Sequence, residues 1–158
     1  MKTIRRRRKE AKTDYKLRFN LLKSEKPRLV IRKTNKYILA QIVTSDIAQD
    51  KVLLTISSKE LLSKGWPEDK KGSLKNLAAC YLTGILVGKK SKNLIKEAIS
   101  DIGMHRNIRG SRIYSLVKGA KEAGLNIEVD EKVLPKDERI FSNKNISKSI
   151  IEKIKGAK

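Results

Sequence analysis

One cysteine, one histidine and one tryptophan stand in 158 residues, and aromatic residues make up only 4% of the chain. A lone Cys80 excludes an intramolecular disulfide framework and a multi-cysteine zinc site. It lies in the apolar stretch "AACYLTGILVG", where a buried, inert thiol is the expected state. Acidic residues are also scarce: 17 Asp and Glu face 38 Lys and Arg. The longest apolar stretch, around Cys80 to Val87, is far too short to span a bilayer. The opening "MKTIRRRRKEAKTDYK" has no apolar core of the kind a secretory signal needs. An intracellular, soluble protein is expected, with a core built from Leu, Ile, Val and Ala.

What is abundant is positive charge, formally +21 with a pI near 10.2. Such self-repulsion is tolerable when a polyanion neutralises it, which makes nucleic acid the first candidate partner and an anionic membrane surface the second. The excess is unevenly placed. Residues 1–36 carry a net +12, residues 37–142 only +5, and residues 143–158 a further +4. This layout predicts a basic arm with a short helix over residues 1–26, an α/β domain over 27–125, and an irregular Lys-rich extension over 126–158.

Within the arm, "RRRRK" has no means of burying itself and is expected to stay extended until a ligand orders it. Thr13 is a plausible N-cap for a helix over 13–23, on which Leu17 and Leu21 share one face; Pro27 stops it. From there the period changes. "RLVIRK", "YILAQIV" and "KVLLTIS" are β-prone runs with short connections, and Asn35 tolerates the left-handed backbone of a tight turn. Ser58 and Gly65 bracket one helical turn, and Trp66 anchors the loop that follows. Ser73 is the expected N-cap of a helix with the stripe Leu74, Leu77, Ala78, Tyr81, Ile85, Gly88, whose small residues predict close packing against a sheet. A short helix then runs into a strand near 99–103. A last helix has Ser111 as N-cap, Ile113, Leu116, Val117 and Ala120 on one face, and Gly124 as its stop. "ISKSIIEKIK" could add a marginal helix. The order βββ-α-β-α predicts an α/β fold: a mixed sheet, an antiparallel meander plus a later strand, covered by helices.

His105 opens "HRNIRGSR", one His, three Arg, an Asn and a Ser in eight residues ahead of a helix N-terminus. Catalysis would need a carboxylate, a nucleophile or further ligands close by. Asp101, in extended backbone, lies roughly 13 Å away, and Arg106, Arg109 and Arg112 would depress the imidazolium and repel a metal. Free N–H groups at the helix start, with Gly110 admitting close approach, suit a phosphate instead. Asp46 with Asp50, and Glu128 with Asp130 and Glu131, could serve a metal-dependent nuclease, but their polar surroundings favour solvated loop charges. No catalytic residue, metal or cofactor is expected. A general duplex-DNA binder is the remaining rival.

Taken together, "RRRRKEAKTDYKLR", "KPRLVIRKTNKYILAQIV", "GWPEDKKGSLKNLAACYLTGILVGKK", "DIGMHRNIRGSRIYSLVKGAKEAG" and "LPKDERI" resemble, in that order, the 5S-rRNA-binding large-subunit ribosomal protein L-eighteen family in its archaeal/eukaryotic-type branch. The resemblance covers residues 5–140. It implies an α/β domain like that of the small-subunit ribosomal protein eleven, and a non-enzymatic constituent of the cytoplasmic ribosome. The implied role is attachment of 5S rRNA to large-subunit rRNA at the central protuberance. Neighbouring large-subunit proteins are implied partners; a membrane, a small-molecule substrate and homo-oligomers are not. Carried onto this sequence, it points to Arg5, Arg6, Arg7, Arg8, Lys9, Lys12, Asp14, Tyr15 and Arg18 in the arm. In the hairpin it points to Arg28, Arg32, Lys33, Asn35 and Lys36, and at the helix entry to His105, Arg106, Arg109, Ser111 and Arg112.

Overall fold

In a computed structural model, residues 4–47, 49–141 and 156 are described. Two short helices, α1 (Arg6–Lys9) and α2 (Tyr15–Lys23), precede the strands β1 (Arg28–Lys33), β2 (Ile38–Asp46) and β3 (Gln49–Ser57). The chain continues through α3 (Glu60–Ser63), a 3-10 segment (Glu68–Ser73), α4 (Leu77–Ser91), β4 (Ile99–Asp101) and α5 (Arg112–Glu122). A second 3-10 turn (Glu131–Val133) and α6 (Asp137–Phe141) follow. The segment "ISKSIIEKIK" lies outside the described residues.

The strands form one mixed sheet in the order β3-β2-β1-β4, with β1–β2 and β2–β3 antiparallel and β1–β4 parallel. Alternation places Leu29 and Ile31 of β1 and Ile38, Ala40 and Ile42 of β2 on the buried face. The stretch 44–50, expected as a polar loop, is mostly strand. β2 runs to Asp46 and β3 starts at Gln49, leaving a turn in which Ile47 adopts φ 44°. Asn35 is not left-handed. Thr34 closes that turn, its hydroxyl donating to Tyr37 O at 2.7 Å and accepting from Tyr37 N at 3.0 Å.

The expected helix caps shift because their hydroxyls are used elsewhere. Thr13 Oγ1 accepts from Arg7 Nε, so Asp14 caps α2 by accepting from the N–H groups of Lys16 and Leu17. Ser58 Oγ accepts from Ile38 N instead of capping α3. Ser73 Oγ donates to Lys70 O, and Asn76 caps α4 through Ala79 N at 2.7 Å. Trp66 is buried and donates its indole N–H to Lys70 O, the anchoring role expected of it.

Twelve of the fifteen α4 residues are buried, so this helix is apolar all round instead of striped. It is enclosed between the sheet and α5. Its glycines serve α5, not the sheet: a Cβ on Gly84 would sit 2.0 Å from Leu116 O, and one on Gly119 2.1 Å from Tyr81 O. The helix backbones therefore meet directly, and Ser115 Oγ donates across to Leu77 O at 2.8 Å. Ile113, Leu116, Val117 and Ala120 of α5 face the core as expected, and Gly124 ends the helix at φ 105°. Ile127 and Ile140 are in the same core, so the part of the expected extension up to residue 141 is anchored to the body. The Tyr81 hydroxyl bonds Glu122, and its ring meets Phe141 edge-on at 5.6 Å.

Candidate nucleic-acid interface

The arginine block is a turn of helix, not an extended strand. Arg8 and Lys9 N–H groups bond Arg5 O, Glu10 pairs with Arg6 at 3.6 Å and Lys12 at 2.8 Å, and Ala11 reverses the chain at φ 51°. Local acid–base pairing and helix-tolerant side chains offset part of the repulsion among the arginines. Arg5 to Lys9 and Lys12 remain exposed. The Arg5 guanidinium lies 4.9 Å over the Tyr15 ring. Asp14, as the cap of α2, orients that helix through backbone bonds.

In the hairpin the expected residues divide. Arg28 leaves the contact surface: it is 3% exposed, and its guanidinium bonds Asp50 at 2.6 Å, Ser45 at 2.9 Å and Asp101 at 3.1 Å. Arg32 remains at the surface, braced by Asp101 and lying against Gly103. Lys33, Asn35 and Lys36 are exposed at the hairpin end. Asp50 is not a solvated loop charge. Burial alone would raise its carboxyl, but bonds from Arg18 and Ser45 and the Arg28 charge outweigh that and hold it down at about 2.

The loop between β4 and α5 turns on Gly103 and Gly110, both with positive φ, and Gly110 N–H bonds Val133 O. Tyr114 OH donates to Asn107 Oδ1 at 2.6 Å, fixing the loop onto α5. His105 Nε2 accepts the Lys33 backbone N–H at 3.1 Å, capping the end of β1. That bond requires the neutral ring with its proton on Nδ1. Burial, then Lys33 and Arg32, push the imidazole below its ordinary range. The responsible charges lie across the loop, not on the Arg106, Arg109 and Arg112 that adjoin it in sequence. Those three arginines are exposed. Asp101 accepts from Arg28, Arg32 and the Gly103 N–H.

Two grooves meet at this loop. One, of about 330 Å³, runs between Arg7, Lys12 and Arg18 of the arm and Arg32, Gly103 and His105 of the body. The other, of about 670 Å³, runs from Lys33 past Arg106 and Arg112 to Arg139, beneath the first residues of α4 and α5. Met104 and His105 line both, which joins arm, hairpin end and helix entry into one basic band. Ser111 starts α5 without a side-chain cap bond, and its Oγ is buried without a hydrogen-bond partner. The N-terminus of α4 and Arg139 were not anticipated as part of this surface. Arg139 is distant in sequence and reaches the band only because α6 folds back, where it covers Gly110. Among the described residues no group of three or more His, Cys, Asp or Glu could hold a metal ion, and no helix is long and apolar enough to cross a membrane.

A family described as ribosomal large subunit proteins 60S L5 and 50S L18 matches residues 1–99. Large ribosomal subunit protein uL18 of Methanothrix thermoacetophila is 45% identical over 136 residues, 85% of this chain and 78% of the relative. The chain belongs to this family. The uL18 proteins of Methanothermobacter thermautotrophicus and Aeropyrum pernix are 44% and 42% identical over 85% of the chain, which covers 69% and 62% of their lengths. Family membership makes the chain a structural, non-enzymatic protein of the large ribosomal subunit, in agreement with the L-eighteen resemblance and its α/β fold. Proteins of this family bind rRNA. Of the carboxylates considered for a nuclease, Asp50 is taken by Arg28 and Arg18.

Proposed function

We propose that this chain binds 5S rRNA and helps attach it to large-subunit rRNA at the central protuberance of the cytoplasmic ribosome, beside neighbouring large-subunit proteins. The observation that carries the reading is the continuity of the band: the arm, Arg32 and Lys33 of β1, and His105, Arg106 and Arg112 of the loop line two grooves that share His105, with Asn35, Lys36 and Arg109 outside them. One folded RNA could engage all three at once. The arm follows phosphates and releases counterions, while the rigid loop and hairpin set register on shape and 2′-hydroxyls. The free N–H groups at the start of α5, with the unpartnered Ser111 hydroxyl beside them, suit a phosphate oxygen. Arg112 and Arg106 supply planar forks for the same chemistry.

The loop is the place to test this. Arg106→Ala/Arg109→Ala should lower affinity for folded 5S rRNA more than for a duplex DNA of equal length, measured by titration at matched salt. Equal losses for both nucleic acids would reduce the loop to unspecific charge and remove it from recognition.

A further inference from the structure

We propose that Asp50 is a positioning residue for RNA recognition: its carboxylate seats the basic arm on the body by pairing with Arg18, so that the arm meets RNA already in place. The inference rests on the RNA-binding reading above and adds a residue that reading does not contain.

The apolar seat of α2 is shallow. The helix has no buried residue; Leu17, Leu21 and Leu22 are half-buried, and Phe19 is 67% exposed. Against this stands a well-built ion pair, Arg18 Nη1 to Asp50 Oδ2 at 2.9 Å. The carboxylate is itself immobilised. Its other oxygen accepts from Arg28 Nη2 and from Ser45 Oγ, both at 2.6 Å, and Arg28 is in turn bonded to Asp101. Arg28, Ser45, Asp50 and Asp101 belong to β1, β2, β3 and β4. All four strands therefore fix one carboxylate, which turns one oxygen inward and the other toward the arm. The arm side chains Arg7, Lys12 and Arg18 then face Arg32 and His105 across the groove.

By charge alone, a carboxylate on this face repels a polyanion, and its removal should tighten binding to any nucleic acid. The geometry predicts the opposite for the RNA that needs arm and body together. An arm released from its seat must be re-ordered on binding, and apparent affinity falls in proportion to the fraction of molecules still docked.

Asp50→Asn in the full chain separates the two. The amide retains an oxygen for Arg28 and Ser45 and loses the charge that holds Arg18. Hydrogen exchange of the free protein should show α2 amides losing protection about tenfold more than the β1, β2 and β3 amides lose; 5S rRNA affinity should fall about tenfold while duplex DNA binding holds or rises. Should the variant lose strand protection to the same extent, Arg18→Gln, which leaves Asp50, Arg28 and Asp101 together, decides by the same α2 readout. Unchanged α2 protection in Arg18→Gln, or a 5S affinity that rises with that of DNA in a folded Asp50→Asn, would overturn the proposal. Wild-type protein without any 5S preference would instead sink the RNA reading, and the exchange data would still report on arm docking.

Discussion

His105 and Asp50 show how far a residue's role depends on partners remote in sequence. The imidazole is a backbone acceptor at the end of β1, pushed below its ordinary pKa by burial and by Lys33 and Arg32. Its neutral form is the native one, so its contribution to stability is complete above about pH 6.5 and is lost as pH falls toward the lowered native value. An NMR titration of the ring should give a pKa below about 6.5; a value above it would place a carboxylate, not a backbone N–H, on the ring. Asp50 runs the other way. Its carboxyl is held at about 2, so the stability it contributes is present above about pH 4 and is lost between about pH 4 and pH 2. Thermal unfolding in steps across that range should fall less steeply for Asp50→Asn than for the wild type. Neither environment was legible in the sequence. Asp50 reads as a loop acid and Arg28 as a hairpin cation until the fold brings together residues 22 and 73 positions apart. The exposed arginines of the loop at 105–112 were legible, because a short run between a strand and a helix start has nowhere to be buried.

At the scale of elements, the periodicities of β1, β2 and α5 were readable because each buries one face. α4 was readable as a helix but not in its setting. A helix enclosed on all sides loses the stripe that would say what covers it, and its glycines do not reveal whether a sheet or a helix comes close. The α4–α5 contact is backbone on backbone at Gly84 and Gly119. Gly84→Ala or Gly119→Ala should each cost stability toward the upper end of about 1–3 kcal/mol, the range for overpacked sites. Gly72→Ala, where an added Cβ meets nothing within 4 Å, should be close to neutral. Urea unfolding of the three variants checks the ordering, and a neutral Gly84→Ala would mean that the helices can move apart. The ends of elements were the least legible. Thr13, Ser58 and Ser73 all have capping chemistry, yet each hydroxyl is taken by another group.

For the whole molecule, the division of charge carries the account. The core is an ordinary one of Leu, Ile, Val and Ala, and +12 of the +21 excess lies in residues 1–36. A chain built this way should bind any polyanion weakly; in the proposed reading, specificity comes from the relation of arm, hairpin end and helix entry around His105. If about 6 to 10 phosphates are neutralised, affinity should fall by about 10³ to 10⁵ between about 50 and 200 mM salt. The sequence showed how much charge there is and roughly where, but not that Arg139 returns to the same band. The most direct test is competition of folded 5S rRNA against tRNA and an equal-length duplex DNA for the purified full chain, across about 50 to 300 mM salt. A preference for 5S rRNA that persists as salt rises is the predicted result. Three ligands that bind alike and weaken in parallel would contradict the account, leaving a generic polycation where a recognition surface is claimed.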